Sequence, residues 1–311
     1  MITNIQTSLT YSTLTLALKA IPAIFDRDYE LVLANGTYDT AGVTTTISKN
    51  TNGFSLIIRG ESKAGVLLSS TTTTLTLSGN DTVNVVLKDF RVSGGSAQTI
   101  SIQNPSFITV ENVDMVSTLG NFFRITGPTT NNITIKNCKA VTEGHCVLLM
   151  SSPSNLSFIG NNFKVDRLTP GSFRCIANGT DISGELNIIG NTFEVVNGAE
   201  GINLKASALG GNINVERNVF KSCSNVQIRL NNDLSRNVTT VFRNNLFESS
   251  VTYSVYVDYG NVAFFNNTVI KNTSLLAAVR FNFIGEFTGF RNNLFYSNNT
   301  KTDSSSSFAS I

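Results

Sequence analysis

The sequence predicts an all-β fold, a right-handed parallel β-helix, and three observations carry that prediction. A unit of 22 to 30 residues recurs along the 311-residue chain, the size of one solenoid coil. Within each unit, large apolar residues stand two apart, the period of a strand with one buried face. Six consecutive units place an Asn at the same position.

The first apolar column is Val92, Met115, Ala140, Phe163, Phe193, Phe220, Phe247, Val269 and Phe295. Five residues earlier stand Leu87, Val110, Ile135, Phe158, Ile188, Val215, Phe242, Phe264 and Phe290, all large and apolar. Seven earlier come Val85, Ile108, Ile133, Leu156, Leu186, Ile213, Thr240, Val262 and Thr288. Asn161, Asn191, Asn218, Asn245, Asn267 and Asn293 lie two before the first column. An Asn tolerates the left-handed backbone of a sharp turn, and its amide both donates and accepts. Coils stacked about 4.8 Å apart would let these amides bond from coil to coil. The solenoid is expected to contain about nine to ten coils over residues 26–297.

Before the repeat, Leu14, Leu16, Ala17, Leu18, Ile21 and Ile24 suit a short amphipathic helix after a Ser/Thr-rich stretch. An open solenoid end must be covered, so residues 1–25 are expected to be a helical N-terminal cap. The strand and turn Glu30-Leu31-Val32-Leu33-Ala34-Asn35-Gly36-Thr37-Tyr38 follows, and then the segment Leu56-Ile57-Ile58-Arg59-Gly60. A second strand follows most repeat anchors, as in Val147-Leu148-Leu149, Phe173-Arg174-Cys175, Ile202-Asn203-Leu204, Val226-Gln227-Ile228, Val255-Tyr256-Val257 and Val279-Arg280-Phe281. Residues 298–311 are Ser- and Thr-rich and are expected to be a polar tail or thin cap.

Composition agrees with strands and turns. Charged residues make up 14% of the chain, well below the usual quarter, and Asn, Thr and Ser replace them. The net charge of +2 supplies no basic field, so nucleic acid is not an expected partner. No apolar run is long enough to span a membrane, and the start Met1-Ile-Thr-Asn-Ile-Gln lacks the marks of a secretory signal. Cys138, Cys146, Cys175 and Cys223 fit no metal or redox spacing and read as buried free thiols. No metal ligand set and no cofactor motif is found.

The motifs Leu186-Asn-Ile-Ile-Gly-Asn-Thr-Phe193, Ile213-Asn-Val-Glu-Arg-Asn-Val-Phe220 and Leu31-Val-Leu-Ala-Asn-Gly-Thr-Tyr38 resemble the pectin-lyase-like family of right-handed parallel β-helix proteins. The resemblance runs from about residue 14 to 297. It implies the fold, and it admits polysaccharide lyases and hydrolases, phage tailspikes and adhesins. Polygalacturonase-like members carry Asn-Thr-Asp, Asp-Asp, Gly-His-Gly and Arg-Ile-Lys motifs. Here Gly144-His145-Cys146 is the one near match and the paired aspartates are missing. Inverting hydrolysis needs two carboxylates, so His145 reads as a packed residue. Pectate-lyase-like members resemble one another in a calcium-binding Asp cluster with an Arg base. Only Asp166-Arg167 approaches it here, and neighbours on a strand point to opposite faces. No catalytic residue is assigned.

The outward residues of the second strand form the candidate site. Read by aligning the apolar pairs, one column holds Asn203, Gln227, Tyr256 and Arg280, and its neighbour holds Lys205, Arg229, Asp258 and Asn282. A flat array of amide, guanidinium and phenol groups suits a glycan, although a solvated wall would also be polar. With no export signal read, the expected protein is a phage virion structural protein, tailspike- or tail fibre-like, assembled in the host cytoplasm. Its expected partners are a bacterial surface polysaccharide, other virion proteins and two further copies in a homotrimer. The alternatives are an extracellular polysaccharide lyase or hydrolase, and a non-catalytic adhesin or spacer.

Overall fold

The computed structural model describes the chain apart from residues 41–44, 79–83, 95–97, 105, 117–119, 128–129, 151–152, 179–181, 207–211, 224, 233–237, 249–251, 272–277, 298–308 and 311. It is a parallel β-solenoid with three stacks of strands. The first stack passes through Leu31, Ile58, Leu87, Val110, Ile135, Phe158, Ile188, Val215, Phe242, Phe264 and Phe290, each paired in parallel with the next. These eleven rungs make ten coil-to-coil steps, in keeping with the coils read from the repeat. The second stack holds the Phe column, Phe163 on Phe193, Phe220, Phe247, Val269 and Phe295. The third runs from Thr45–Ile47 to Ala309–Ser310.

The inward columns fill the core, and nearly every member is fully buried. Phe193, Phe220 and Phe247 stack with ring centroids 5.1 and 4.8 Å apart, close to the coil rise of about 4.8 Å. Each ring therefore rests on the next without tilting far. All four cysteines are buried and free. Burial pushes the Cys138 and Cys223 thiols up to about 12, so they behave as small apolar residues.

The Asn column forms a buried ladder. In each of Asn161, Asn191, Asn218 and Asn245 the backbone N–H and Nδ2 donate to Oδ1 of the next Asn, at 2.8–3.0 Å. Nδ2 also donates to a carbonyl of a neighbouring coil, as from Asn218 to Ile188 O at 2.8 Å. The left-handed backbone does not lie on the ladder residue, as the sequence reading had it, but one position earlier. Gly160, Gly190, Arg217, Asn244, Asn266 and Asn292 take φ of +54° to +65° there. This division follows from chemistry, because the buried amide needs a fixed direction while the turn itself needs only steric freedom.

Thr288 does not continue the inward column. Val262 pairs with Phe287, after an irregularity that shifts the last rung by one residue.

At the N-terminus a helix, Leu14–Ala20, forms with Thr13 as its cap, whose side chain accepts from Leu16 N. It buries Leu14, Ala17 and Leu18 over the first coil. Ile2–Asn4 pairs antiparallel with Leu31–Leu33 and with Thr10–Tyr11, so the first parallel strand has no bare edge. At the other end Ala309–Ser310 pairs with Val279–Arg280; the rest of the expected tail lies outside the described residues.

Candidate functional site: a cation and aromatic wall

The third stack is where the candidate residues lie, and its observed register differs from the one read by aligning apolar pairs. Ala177, Asn203, Arg229, Tyr256 and Arg280 share one outward column. Lys205, Asn231, Asp258 and Asn282 share the other. Gln227 is not on the wall. It lies opposite Gly201, is 1% exposed, and its Nε2 donates to the carbonyls of Phe220 and Glu248. The cause is the five-residue alternation Val226-Gln-Ile-Arg-Leu230, which offers two frames. Ile202 and Leu204 take Ile228 and Leu230 as partners, not Val226 and Ile228. On the coil below, Val147 pairs with Ile176 rather than Phe173, so Ala177 and not Arg174 stands opposite Leu148. The side chain of Lys205 lies outside the described residues.

Glu200, absent from the sequence-based site, organises the lower half of the wall. Its side chain is 4% exposed. Arg174 Nε lies 2.6 Å from its Oε2 and Arg229 Nε 2.8 Å from its Oε1. Asn203 Nδ2 donates to Oε2 as well. The Arg229 contact is an ion pair whose N–H points off the line to the oxygen. The buried carboxylate thus holds Arg174 and Asn203 by hydrogen bonds to Oε2 and Arg229 by charge at Oε1. Arg174 Nη1 is further held by Ser172 O at 3.1 Å.

Tyr256 organises the upper half. Its ring lies 5.0 Å from Arg229 Cζ and 5.5 Å from Arg280 Cζ, and the two arginines come from the coils on either side of it. Both contacts fall within the range of cation–π attraction. Arg280 Nη1 donates to Tyr253 Oη at 3.0 Å and its Nε to Asn282 Oδ1 at 2.9 Å. Asn282 Nδ2 in turn donates to Tyr256 Oη and to Asp258 Oδ1, at 2.8 and 2.9 Å. Burial, then the Asp258 carboxylate, raises the Tyr256 phenol above its usual range, so the ring stays a neutral hydroxyl donor.

His145 flanks the lower edge. Its Nδ1 accepts from Arg174 N at 3.1 Å, and its ring lies 5.0 Å from Phe173, on which Arg167 also stacks at 4.3 Å. Burial, and then Arg174, lowers its pKa to about 4. It is thus a neutral, packed imidazole. A separate cleft of about 480 Å³ lies between the cap helix and Asn35–Thr40, and its lining carries fewer directed charged groups. No grouping of three or more His, Cys, Asp or Glu able to hold a metal occurs among the described residues. No helix among them is long and apolar enough to cross a membrane.

No family model matches the chain, and no curated protein matches it by sequence. Solved structures do share its fold. A tailspike protein of Acinetobacter baumannii bacteriophage Fri1, described as a capsular polysaccharide depolymerase, aligns with 91% of this chain at 13% identity and a TM-score of 0.55. The Dettilon tailspike protein aligns with 86% at 11% identity and a TM-score of 0.51. An alginate lyase from a Paenibacillus species aligns with 92% at 14% identity and a TM-score of 0.50, over 96% of its own length. The chain spans 57% and 62% of the two tailspike chains. At these identities the likeness establishes the parallel β-helix and leaves the chemistry to the residues on the wall.

Proposed function

We propose that this chain is the β-helical part of a phage virion protein, tailspike- or tail fibre-like, that binds a bacterial surface polysaccharide along the third stack. The observation that carries the reading is the Arg229–Tyr256–Arg280 column with Asn203, Asn231 and Asn282 beside it. Stacked phenol and guanidinium groups offer a flat surface for sugar rings, and the amides offer donors and acceptors to hydroxyls. The similarity of the fold to two tailspikes supports the virion setting. Lys205, Asp258 and Asn282 stay in the proposed site through their backbone register; Gln227 leaves it.

Arg229→Ala and Arg280→Ala together should weaken adsorption of the purified protein to host cells or to their isolated polysaccharide. Unchanged adsorption, with the variants shown to be folded, refutes the site. Cleavage is a separate matter, tested by incubating the protein with the polysaccharide and sizing the products. Shortened chains would favour the depolymerase form of this reading. The homotrimer belongs to the same proposal, and a stable monomer at micromolar concentration by mass photometry removes it.

A further inference from the structure

The hexapeptide Phe-Arg-Asn-Asn-Leu-Phe occurs twice, at 242–247 and 290–295, with Phe264-Phe-Asn-Asn-Thr-Val269 on the coil between. The fold accounts for the Phe and Asn residues: the Phe enter the inward columns, one Asn joins the ladder and the other takes the left-handed corner. Arg243, Phe265 and Arg291 point outward and answer none of these demands. They are register neighbours on the first stack, Arg243 on Phe265 and Phe265 on Arg291. The exposed corner amides Asn244, Asn266 and Asn292 run beside them.

The Phe265 ring is half-buried and does not stand out from the sheet. Its Cε1 and Cζ come within 2.6 and 2.8 Å of where a Cβ on Gly289 would sit, on the next coil. A side chain whose far end reaches that level lies down along the sheet and turns a face to water. Gly289 has no left-handed φ to require a glycine; what it supplies is room for the ring. Arg243 and Arg291 are exposed, and neither guanidinium has a hydrogen-bond or ion-pair partner among the described residues. The outward columns on either side carry no charge here, with Val241 and Ala263 on one and Leu246, Thr268 and Leu294 on the other. The nearest acid in register is Glu216, below Arg243, and it faces Arg217 at 3.6 Å.

We infer that this strip is a second carbohydrate site, on the first stack and separate from the third-stack wall, and that it takes an acidic sugar. The apolar face of a sugar ring rests on Phe265. An arginine side chain is longer than the coil step of about 4.8 Å, so either guanidinium reaches a carboxylate on that ring, in the paired geometry the fork favours. The corner amides meet the hydroxyls. A nucleic-acid strand fits less well, since it needs a basic groove and a succession of stacking rings. Below Arg243 the same column continues as Glu216, Ile189 and Ile159.

The test is ligand-observed saturation-transfer NMR on the full chain carrying Arg229→Ala and Arg280→Ala, which silences the wall. The probes are galacturonate trisaccharide, maltotriose, triglutamate and trithymidylate. Galacturonate trisaccharide should give the strongest transfer. Phe265→Leu, and Gly289→Ala, which displaces the ring without touching it, should each remove most of that signal. Arg243→Gln and Arg291→Gln should each raise the apparent Kd about tenfold, the scale of one charged hydrogen bond. Melting temperatures matching the parent's show that the variants are folded. Transfer to maltotriose equal to that of the acidic sugar overturns the acidic ligand, and an equal response from triglutamate reduces the strip to surface charge. An equal response from trithymidylate makes it a nucleic-acid site instead. A galacturonate signal indifferent to both Phe265→Leu and Gly289→Ala, or absent altogether, overturns the inference. A signal present in the parent and lost with the wall arginines also overturns it, but leaves the third-stack reading standing. That reading is decided separately, by adsorption to host cells.

Discussion

Asn218 gives both its backbone N–H and its Nδ2 to the same oxygen, Oδ1 of Asn245, at 3.0 Å each. Its own Oδ1 receives the equivalent pair from Asn191 at 2.9 and 3.0 Å. Asn218→Ala therefore strands the Asn191 backbone N–H and one donor of its amide in a site that water does not reach, and removes a donor from Ile188 O. Each buried orphan costs about 1–3 kcal/mol, so a loss of about 3 kcal/mol is expected. Asn293→Ala, at the half-buried end of the ladder, should cost about 1 kcal/mol. Denaturant unfolding of both variants measures the difference, and equal losses would show that the ladder is not cooperative along its length.

Arg217 occupies the left-handed corner that Gly and Asn fill on the coils around it, with φ of +55°. Its side chain reaches Glu216 at 3.6 Å, an exposed contact worth little. Replacing it by Gly should stabilise the fold by about 0.5–1 kcal/mol because the Cβ penalty of that conformation is relieved, and Asn should give a smaller gain because its short side chain can hydrogen-bond the local backbone. Gly190→Ala should cost about 1 kcal/mol at the equivalent corner, where nothing crowds the added Cβ and backbone strain acts alone. A melting series over the three variants reads both signs.

The fold was legible because its information is periodic and faces inward. A one-residue slip in Leu156–Phe158 or Val215–Phe220 would turn buried side chains to water, so these columns admit one frame. The ladder was legible for a related reason, since six amides in register have few other uses. Arg217 shows the limit: nothing in its identity marks a left-handed corner, and only its place before Asn218 does. The wall was harder to read because outward residues carry no such constraint. Val226–Leu230 offers two equally apolar frames, and the wrong one put Gln227 on the surface. Glu200 was invisible for a different reason: its partners, Arg174 and Arg229, are 26 and 29 residues away on neighbouring coils, and no local motif announces the contact.

His145 gives the fold a pH dependence with a defined window. Its folded pKa of about 4 lies below its ordinary value of 6.5, chiefly through burial. Between those values the unfolded chain binds a proton that the folded chain refuses, so stability falls as pH drops from 6.5 to 4. Below 4 both states are protonated and this contribution stops changing. The loss is on the order of 2–3 kcal/mol after allowance for partial exposure. His145→Gln should flatten the stability profile over that window, with the loss of its ring contact to Phe173 adding a constant offset at every pH.

Glu200→Gln should separate the two halves of the wall. The neutral amide keeps the shape of the side chain but leaves Arg174 and Arg229 as like charges beside one another, each only a quarter to a third exposed. Removing one member of such a buried contact costs about 3–5 kcal/mol when both partners are fully buried, and about half of that is expected here. Arg229 loses its anchor and so its position beneath Tyr256, whereas Arg280 keeps its bonds to Tyr253 and Asn282. The variant should therefore bind polysaccharide more weakly than the parent. Adding Arg174→Gln to it removes the repulsion and should restore part of the stability without restoring the binding. If the double variant instead recovers binding in proportion to stability, Glu200 acts only on the fold and has no part in holding Arg229 for the ligand.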